Sequence, residues 1–222
     1  MEELPLALLI YGALFAVSLI TADGRWPSVF VFTKPATTLS LLLVTGLPAN
    51  DRFGVLVVGG LLLSALGDTA LLHEGRGFFI TGLLLFLCAH GSYTLAFLTG
   101  GGRAPWESPA LVGAAVFLLA TLWLLYQIWP GIERGLRFPV AVYGLAITAM
   151  VSASYLVLAG PWPNYISIPL AAGAVSFYLS DALLAWTQFR QAIPQQQALN
   201  LGLYWTGQLG IAVSAHYLVG GG

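Results

Sequence analysis

Charged residues are scarce in this chain. Of its 222 residues only 8% are Asp, Glu, Lys or Arg, whereas 58% are hydrophobic; a soluble domain usually carries about 25% charged residues. This composition excludes an ordinary soluble domain and indicates an integral membrane protein. The net charge is −1 and the sequence has no run of basic residues, so nothing indicates a nucleic-acid partner or a polybasic segment at the membrane surface.

Cysteine and the familiar catalytic motifs are equally scarce. The single cysteine, Cys88, lies within an apolar stretch. It has neither a second cysteine for an internal disulfide nor metal-ligand companions, so a small core residue is its simplest role. The sequence has no G-x-S-x-G elbow, no H-E-x-x-H, no P-loop and no Cys/His cluster. These absences argue against a serine-type lipid hydrolase, a zinc peptidase of the zincin type and a protein driven by nucleotide hydrolysis. We expect no metal or cofactor.

The sequence is instead dominated by long apolar runs. Eight runs of about twenty residues, each long enough to cross about 30 Å of hydrocarbon as a helix, alternate with short polar breaks. The runs are Leu4–Thr21, Ser28–Leu47, Phe53–Leu72, Phe78–Leu98, Pro109–Trp129, Pro139–Leu158, Tyr165–Trp186 and Leu201–Val219. No break is long enough for a soluble domain. We therefore expect an all-α bundle of eight transmembrane helices, forming a single integral-membrane domain over residues 1–222.

Basic residues are unevenly distributed among the polar breaks. Those after the first, third, fifth and seventh runs hold Arg25, Arg76, Arg134, Arg137 and Arg190, and the others hold only Arg52 and Arg103. The positive-inside rule places the first group in the cytoplasm and both termini outside. We expect a multi-pass protein of a bacterial inner membrane.

A few titratable residues lie inside the apolar runs. They are Lys34, Asp68, His90, Asp181 and His216. A charge within the hydrocarbon is costly, so such a residue is a functional candidate by default. At about 1.5 Å per residue, Lys34, Asp68 and Asp181 come out about 6 to 9 Å from the predicted cytoplasmic ends. These three side chains are therefore predicted to share one layer of the bundle.

Other polar residues are predicted to accompany this layer. Tyr143 and Gln208 fall near the same depth, while His90 and Tyr93 lie on one face of the fourth run, since they are three residues apart. The face is expected to look into the bundle toward Asp68. Each residue also has a structural interpretation, as a packing aromatic, a hydrogen-bonded histidine or an interhelical amide.

The charged residues have structural interpretations as well. Asp68 and Asp181 would then pair with Lys34 or with hydroxyl groups and fix helix packing, although the cost of an intramembrane acid favours function. Lys34 would snorkel toward the interface. For the lysine both interpretations stay open.

The order and spacing of these residues resemble a known family. The matching positions are Lys34, Pro35, Gly67, Asp68, Phe79, Gly82, Phe86, Ala89, His90, Tyr93, Tyr143, Ser180, Asp181 and Gln208. Together they resemble the lysoplasmalogenase (YhhN-like) family of eight-span membrane proteins, over nearly the whole chain. The resemblance implies an ether hydrolase, whose partners are membrane lipids and a lysophospholipid substrate. It would cleave the vinyl ether bond of lysoplasmalogen to a fatty aldehyde and glycerophosphoethanolamine or glycerophosphocholine.

The residues fit this chemistry. A vinyl ether is cleaved by protonation of its β-carbon, which leaves an oxocarbenium ion that water traps. The reaction needs one protonated acid and one charged carboxylate, and two buried carboxylates sharing a site tend to divide these states, as in glycosidases. We predict Asp68 and Asp181 as catalytic residues; solvation near Ser180 favours Asp181 as the ionised one. The predicted substrate-binding residues are Lys34, His90, Tyr93, Tyr143 and Gln208.

A transporter is the rival interpretation. In an ion-coupled small-molecule transporter, Lys34, Asp68 and Asp181 would form the coupling site. A weak echo between Leu66–Leu72 and Leu179–Leu184 suggests a duplicated bundle and favours this class. The absence of paired Gly/Pro interruptions at matching positions argues against it.

Overall fold

Eight long α-helices account for most of the described chain. The computed structural model describes residues 3–22, 24–46, 51–100 and 108–219, so the predicted outer-side Arg103 lies outside the described residues. The helices are α1 Glu3–Thr21, α2 Pro27–Thr45, α3 Arg52–Ala70, α4 Arg76–Gly100, α5 Ser108–Ile128, α6 Arg137–Leu158, α7 Asn164–Phe189 and α8 Gln196–Val219. Two short 3-10 turns, Trp129–Gly131 and Arg134–Leu136, join α5 to α6. The predicted all-α class is confirmed.

The outer surface of the bundle is apolar. Large side chains such as Leu9, Phe32, Leu119 and Phe138 are 66–78% exposed, which a soluble monomer rarely shows over so much of its surface. Among the described residues, the seven helices α1 to α7 are long and apolar enough to cross a membrane. The eighth, α8, has 24 residues but is more polar. The protein is a multi-pass membrane protein.

Several helices run past the apolar segments that predicted them. α7 ends at Phe189 and α8 begins at Gln196, so the glutamine-rich break between the seventh and eighth apolar runs is partly helical. Hydropathy marks only the part of a helix that lies in hydrocarbon. Glutamine is a good helix former, so the backbone stays helical where the side chains become polar.

Six helices form a ring around the interior of the bundle. In the described part of the chain, α2 packs against α3, α3 against α4, α4 against α6, α6 against α7, α7 against α8, and α8 against α2. We call these six helices the helix ring. α1 packs outside it against α2 and α8, and α5 packs outside it against α6 and α7. The ring gives the polar side chains of six helices a common interior.

A glycine contact closes the ring between α7 and α8. A Cβ atom at Gly173 would lie 2.6 Å from the carbonyl oxygen of Gly207, and one at Gly207 would lie 2.8 Å from the carbonyl oxygen of Gly173. At these distances there is no room for a side chain at either position. Glycine has no side chain and so lets the two backbones touch. The contact brings the helix of Asp181 directly against the helix of Gln208.

Candidate active site

A cavity of about 650 Å³ lies inside the helix ring. Its walls include Lys34, Asp68, Tyr143, Asp181 and Tyr204. The side chains around its mouth are His73, Glu74, Arg76, Glu133, Gln196 and Gln197. The mouth therefore lies at the arginine-rich end of the bundle, the end predicted to face the cytoplasm. We call this space the polar cavity.

Asp68 is held by three side chains of the helix ring. Its Oδ2 accepts hydrogen bonds from the hydroxyl of Thr38 at 2.6 Å and of Tyr204 at 2.9 Å. The Nζ atom of Lys34 lies 3.6 Å from Oδ1. Asp68 is 2% exposed and Lys34 9% exposed, so this is a buried ion pair. The ammonium and two hydroxyl donors compensate a negative charge on Asp68.

A further layer of contacts fixes these partners. The indole Nε1–H of Trp205 donates to Oγ1 of Thr38 at 3.2 Å, and Lys34 Nζ also lies 3.5 Å from the backbone carbonyl oxygen of Asp68. Lys34 and Thr38 are one helical turn apart on α2, so they present both groups on the same face. The Asp68 side of the cavity is therefore formed by α2, α3 and α8.

Asp181 has different surroundings. Its Oδ2 accepts a 2.6 Å hydrogen bond from the hydroxyl of Tyr143. The Nε2 atom of His90 lies 3.4 Å from the same oxygen, in a geometry outside that of a hydrogen bond. The imidazole is fully buried, stands edge-on to Tyr143 and lies 4.8 Å from the ring of Phe177. The contacts of Asp181 thus come from a phenol and an imidazole rather than from an ammonium group.

The remaining predicted residues lie behind the cavity wall. Tyr93 donates a 2.6 Å hydrogen bond to Oε1 of Gln208, and both side chains are fully buried. Within the described residues, Nε2 of Gln208 and both ring nitrogens of His90 have no hydrogen-bond partner. Their part in substrate binding stays a prediction, and their position favours support of the wall.

Sequence reasoning missed three residues of the candidate site. Thr38 and Tyr204 bind Asp68, and Asn200 lines the polar cavity while its amide donates to the carbonyl oxygen of Ser180 at 2.8 Å. The sequence does contain a signal for them, because each of the three lies four residues from another polar residue on its own helix. Thr38 follows Lys34, and Asn200, Tyr204 and Gln208 form a stripe on α8.

Three arginines of the predicted cytoplasmic side are candidates for binding the phosphate of a lysophospholipid, and they lie in different places. Arg76 lies at the mouth of the polar cavity, where its guanidinium is 3.3 Å from a carboxylate oxygen of Glu133. Arg190 donates to the carbonyl oxygen of Gln127 and lies over the ring of Trp186. Arg25 belongs to the α1–α2 connection and is not part of the cavity lining. The geometry favours Arg76.

A metal site would need a different set of donors. Among the described residues no three His, Cys, Asp or Glu side chains group closely enough to hold a metal ion. The groups around Asp68 are hydroxyls and an ammonium, and an ammonium has no lone pair to offer a metal.

Comparisons with known proteins assign the family. The sequence profile of the YhhN family matches residues 29–215. The chain is 28% identical over 211 residues to human lysoplasmalogenase TMEM86A. This alignment covers 90% of this chain and 83% of that protein. It is 30% identical over 191 residues to human lysoplasmalogenase TMEM86B, and this alignment covers 86% of this chain and 76% of that protein. No solved structure matches significantly. The chain therefore belongs to the YhhN family.

Proposed function

We propose that this protein is a lysoplasmalogenase, which hydrolyses the vinyl ether bond of a lysophospholipid within the membrane. The observation that carries the proposal is the unlike surroundings of two carboxyl groups on one cavity wall. Asp68 pairs with a lysine, and Asp181 contacts a phenol and an imidazole. The names of the curated relatives support the same activity.

Asp181 is the proton donor in this proposal. Its Oδ2 already accepts a hydrogen bond from the hydroxyl of Tyr143, so the acidic proton of a neutral Asp181 belongs on Oδ1. Carbon protonation leaves a negative charge on the carboxyl group, and the Tyr143 hydrogen bond strengthens as that charge forms. This assignment reverses the one that solvation near Ser180 favoured.

Asp68 is the ionised partner. Lys34 and the hydroxyls of Thr38 and Tyr204 compensate its charge. The two hydroxyls bond to Oδ2, whereas the ammonium lies 3.6 Å from Oδ1 and leaves an acceptor site on that oxygen. The remaining site is available to a water molecule. Asp68 orients that water and takes its proton as the water attacks the oxocarbenium carbon.

The reaction balances with one molecule of water. Asp181 transfers its proton to the β-carbon, and the double-bond electrons form the new C–H bond while the α-carbon becomes an oxocarbenium ion. Water adds to the α-carbon and gives a hemiacetal, and the proton that the water loses passes to Asp68. As the bond from the hemiacetal carbon to the glycerol oxygen breaks, Asp68 gives its proton to that oxygen and Asp181 takes the proton of the hemiacetal hydroxyl. This releases the alcohol and a fatty aldehyde and restores both carboxyl groups.

The polar cavity suits the glycerophosphate part of the substrate. Its mouth carries Arg76 among polar side chains, and a guanidinium binds phosphate well. A lysolipid in the leaflet near the mouth would keep its phosphate close to water while the ether linkage reaches the aspartates. We propose a bacterial inner membrane as the location, with the mouth on the cytoplasmic side.

Aldehyde release in heavy water tests this proposal. Purified protein in detergent is given lysoplasmalogen in D₂O, and the aldehyde is trapped at once as a hydrazone for mass spectrometry. We expect a single deuterium at the carbon next to the aldehyde group, because that carbon is the one protonated. Absence of aldehyde would reject the hydrolase and leave the transporter interpretation, and aldehyde without deuterium would reject carbon protonation.

A further inference from the structure

A narrow apolar cleft adjoins the polar cavity. It has a volume of about 80 Å³ and runs between α4, α5, α6 and α7. Its walls are almost entirely hydrocarbon, including Leu83, Leu124, Ile147 and Ala182. We call this space the apolar cleft.

The polar groups of the apolar cleft are largely satisfied among themselves. Thr121 and Tyr178 lie at the end farther from the cavity mouth, and their hydroxyls are 2.9 Å apart. The hydroxyl of Thr121 is also 2.7 Å from that of Thr148. Hydroxyls that hydrogen-bond to each other do not need a polar ligand as a partner. The occupant of this cleft is therefore expected to be apolar.

Asp181 and Tyr143 stand where the two spaces meet. Both residues line the polar cavity and the apolar cleft. By contrast, Lys34, Asp68 and Tyr204 line only the polar cavity, and Leu83 and Ala182 line only the apolar cleft. The proposed acid thus lies on the boundary between a polar and an apolar space.

A vinyl ether has the same division. On one side of its double bond, the ether oxygen leads to the glycerophosphate; on the other, the β-carbon continues directly into a hydrocarbon chain. The β-carbon receives the proton, so it has to lie beside Asp181. We infer that the apolar cleft binds the carbons that follow the double bond in the single unbranched alkenyl chain of the substrate, and that its walls set the preferred chain length. This inference rests on the proposed function.

Chain selection in this cleft depends on fit. The chain is already in hydrocarbon before it enters, because lipid tails are as apolar as leucine side chains. Entry therefore gains little from the hydrophobic effect, and close packing of the walls decides which chain binds. A mismatch of one methylene in an apolar pocket typically changes kcat/KM by about tenfold or more.

Two substitutions of opposite sign test the inference. Ala182→Leu fills part of the apolar cleft with a larger side chain, whereas Leu83→Ala enlarges the same cleft; neither residue lines the polar cavity. Ala149→Leu is the matched control, since Ala149 is exposed on the outer face of α6. Each variant is assayed with hexadecenyl and decenyl lysoplasmalogen in the same detergent micelles. The ratio of kcat/KM for the hexadecenyl substrate to kcat/KM for the decenyl substrate is then divided by the same ratio in wild type. This division cancels the different partitioning of the two substrates into the micelles.

The expected result is a change in chain preference. Ala182→Leu should lower kcat/KM for the hexadecenyl substrate about tenfold relative to the decenyl substrate, Leu83→Ala should shift the preference toward longer chains, and Ala149→Leu should leave the ratio unchanged. Normal hydrolysis with an unaltered chain ratio in both Ala182→Leu and Leu83→Ala would overturn the chain site while leaving the proposed function intact.

A binding measurement separates this inference from the proposed function. Saturated alkyl ether lysolipids have no double bond to protonate, so calorimetry with hexadecyl and decyl ethers reports chain binding without turnover. If wild type releases no aldehyde but binds the hexadecyl ether more tightly, and Ala182→Leu removes that difference, the chain site stands and the proposed hydrolysis fails. If the two ethers bind equally in wild type and in both variants, the chain site is overturned.

Discussion

The hydroxyl of Tyr143 donates a 2.6 Å hydrogen bond to Oδ2 of Asp181. A donor on this oxygen does two things for an acid. It leaves Oδ1 as the oxygen that carries the proton, and it stabilises the carboxylate that remains after the proton has gone. Tyr143 acts through Asp181 in this arrangement and is a positioning residue.

Tyr143→Phe should therefore lower kcat with little change in KM. Losing one hydrogen bond to a developing charge corresponds to about tenfold or more in rate. Tyr126→Phe is the control, because Tyr126 is 78% exposed on the outer face of α5. Steady-state kinetics of both variants are the measurement, and an unchanged kcat in Tyr143→Phe would show that Tyr143 does not assist Asp181.

The amide variants of the two aspartates test the division of roles. Asp68→Asn and Asp181→Asn should each lower turnover by about 10² or more, because an amide neither donates an acidic proton nor carries charge. The pH dependence of the residual rate should differ between them. Without Asp181, hydronium ions are the remaining acid, so the residual rate of Asp181→Asn should rise as the pH falls.

Stability has to be measured beside these rates. Thermal unfolding in detergent distinguishes a variant that has lost its chemistry from one that has lost its fold. A well-folded Asp68→Asn or Asp181→Asn protein with near-normal vinyl ether hydrolysis would reject the two-carboxylate mechanism.

Much of the candidate site could be predicted from the sequence, because a charged residue stands out within an apolar run. Lys34, Asp68 and Asp181 stand out in apolar runs, and helical rise alone places them in one layer. The structure puts all three on the wall of the polar cavity. Thr38 and Tyr204 were missed because hydroxyl residues are common in membrane helices and carry no such cost.

Other features depend on how helices meet and could not be predicted. The apolar cleft exists because four helices leave a gap between Leu83 and Ala182, and hydropathy reports only that these residues are apolar. The contact of Gly173 with Gly207 is likewise a matter of three-dimensional packing. Periodicity predicts which face of a helix is buried, whereas the partner of that face follows from the fold.

The buried ion pair allows structure and catalysis to be separated. Lys34→Met leaves the charge of Asp68 buried without its ammonium, which should destabilise the protein by about 3 to 5 kcal/mol. The double variant Lys34→Met/Asp68→Asn removes both charges and should recover most of that stability. It should remain inactive, because Asp68 is absent.

Unfolding in detergent and aldehyde release, measured on both single variants and the double variant, complete this cycle. Recovery of stability without recovery of activity assigns Asp68 a catalytic role beyond packing. Activity close to wild type in the double variant would show that the pair serves packing alone.

Phosphate recognition is expected at Arg76. Arg76→Ala should raise KM for lysoplasmalogen several-fold with little effect on kcat, because the phosphate lies away from the reacting carbon. Arg190→Ala is the matched control, since Arg190 bonds to the Gln127 carbonyl and lies over Trp186. Equal KM values in Arg76→Ala and wild type would take this arginine out of substrate binding.

The last prediction concerns the contact between α7 and α8, which positions the helices of Asp181 and Tyr204. A methyl group at Gly207 would lie 2.8 Å from the carbonyl oxygen of Gly173, so Gly207→Ala has to push the two backbones apart. We expect a loss of about 1 to 3 kcal/mol and lower activity, because Tyr204 would move away from Asp68. Gly202→Ala lies on the same helix with nothing within 4 Å of its new methyl group and should be as stable as wild type or more so. Thermal unfolding of the two variants side by side is the measurement, and equal melting temperatures would mean that the glycine contact does not hold α7 against α8.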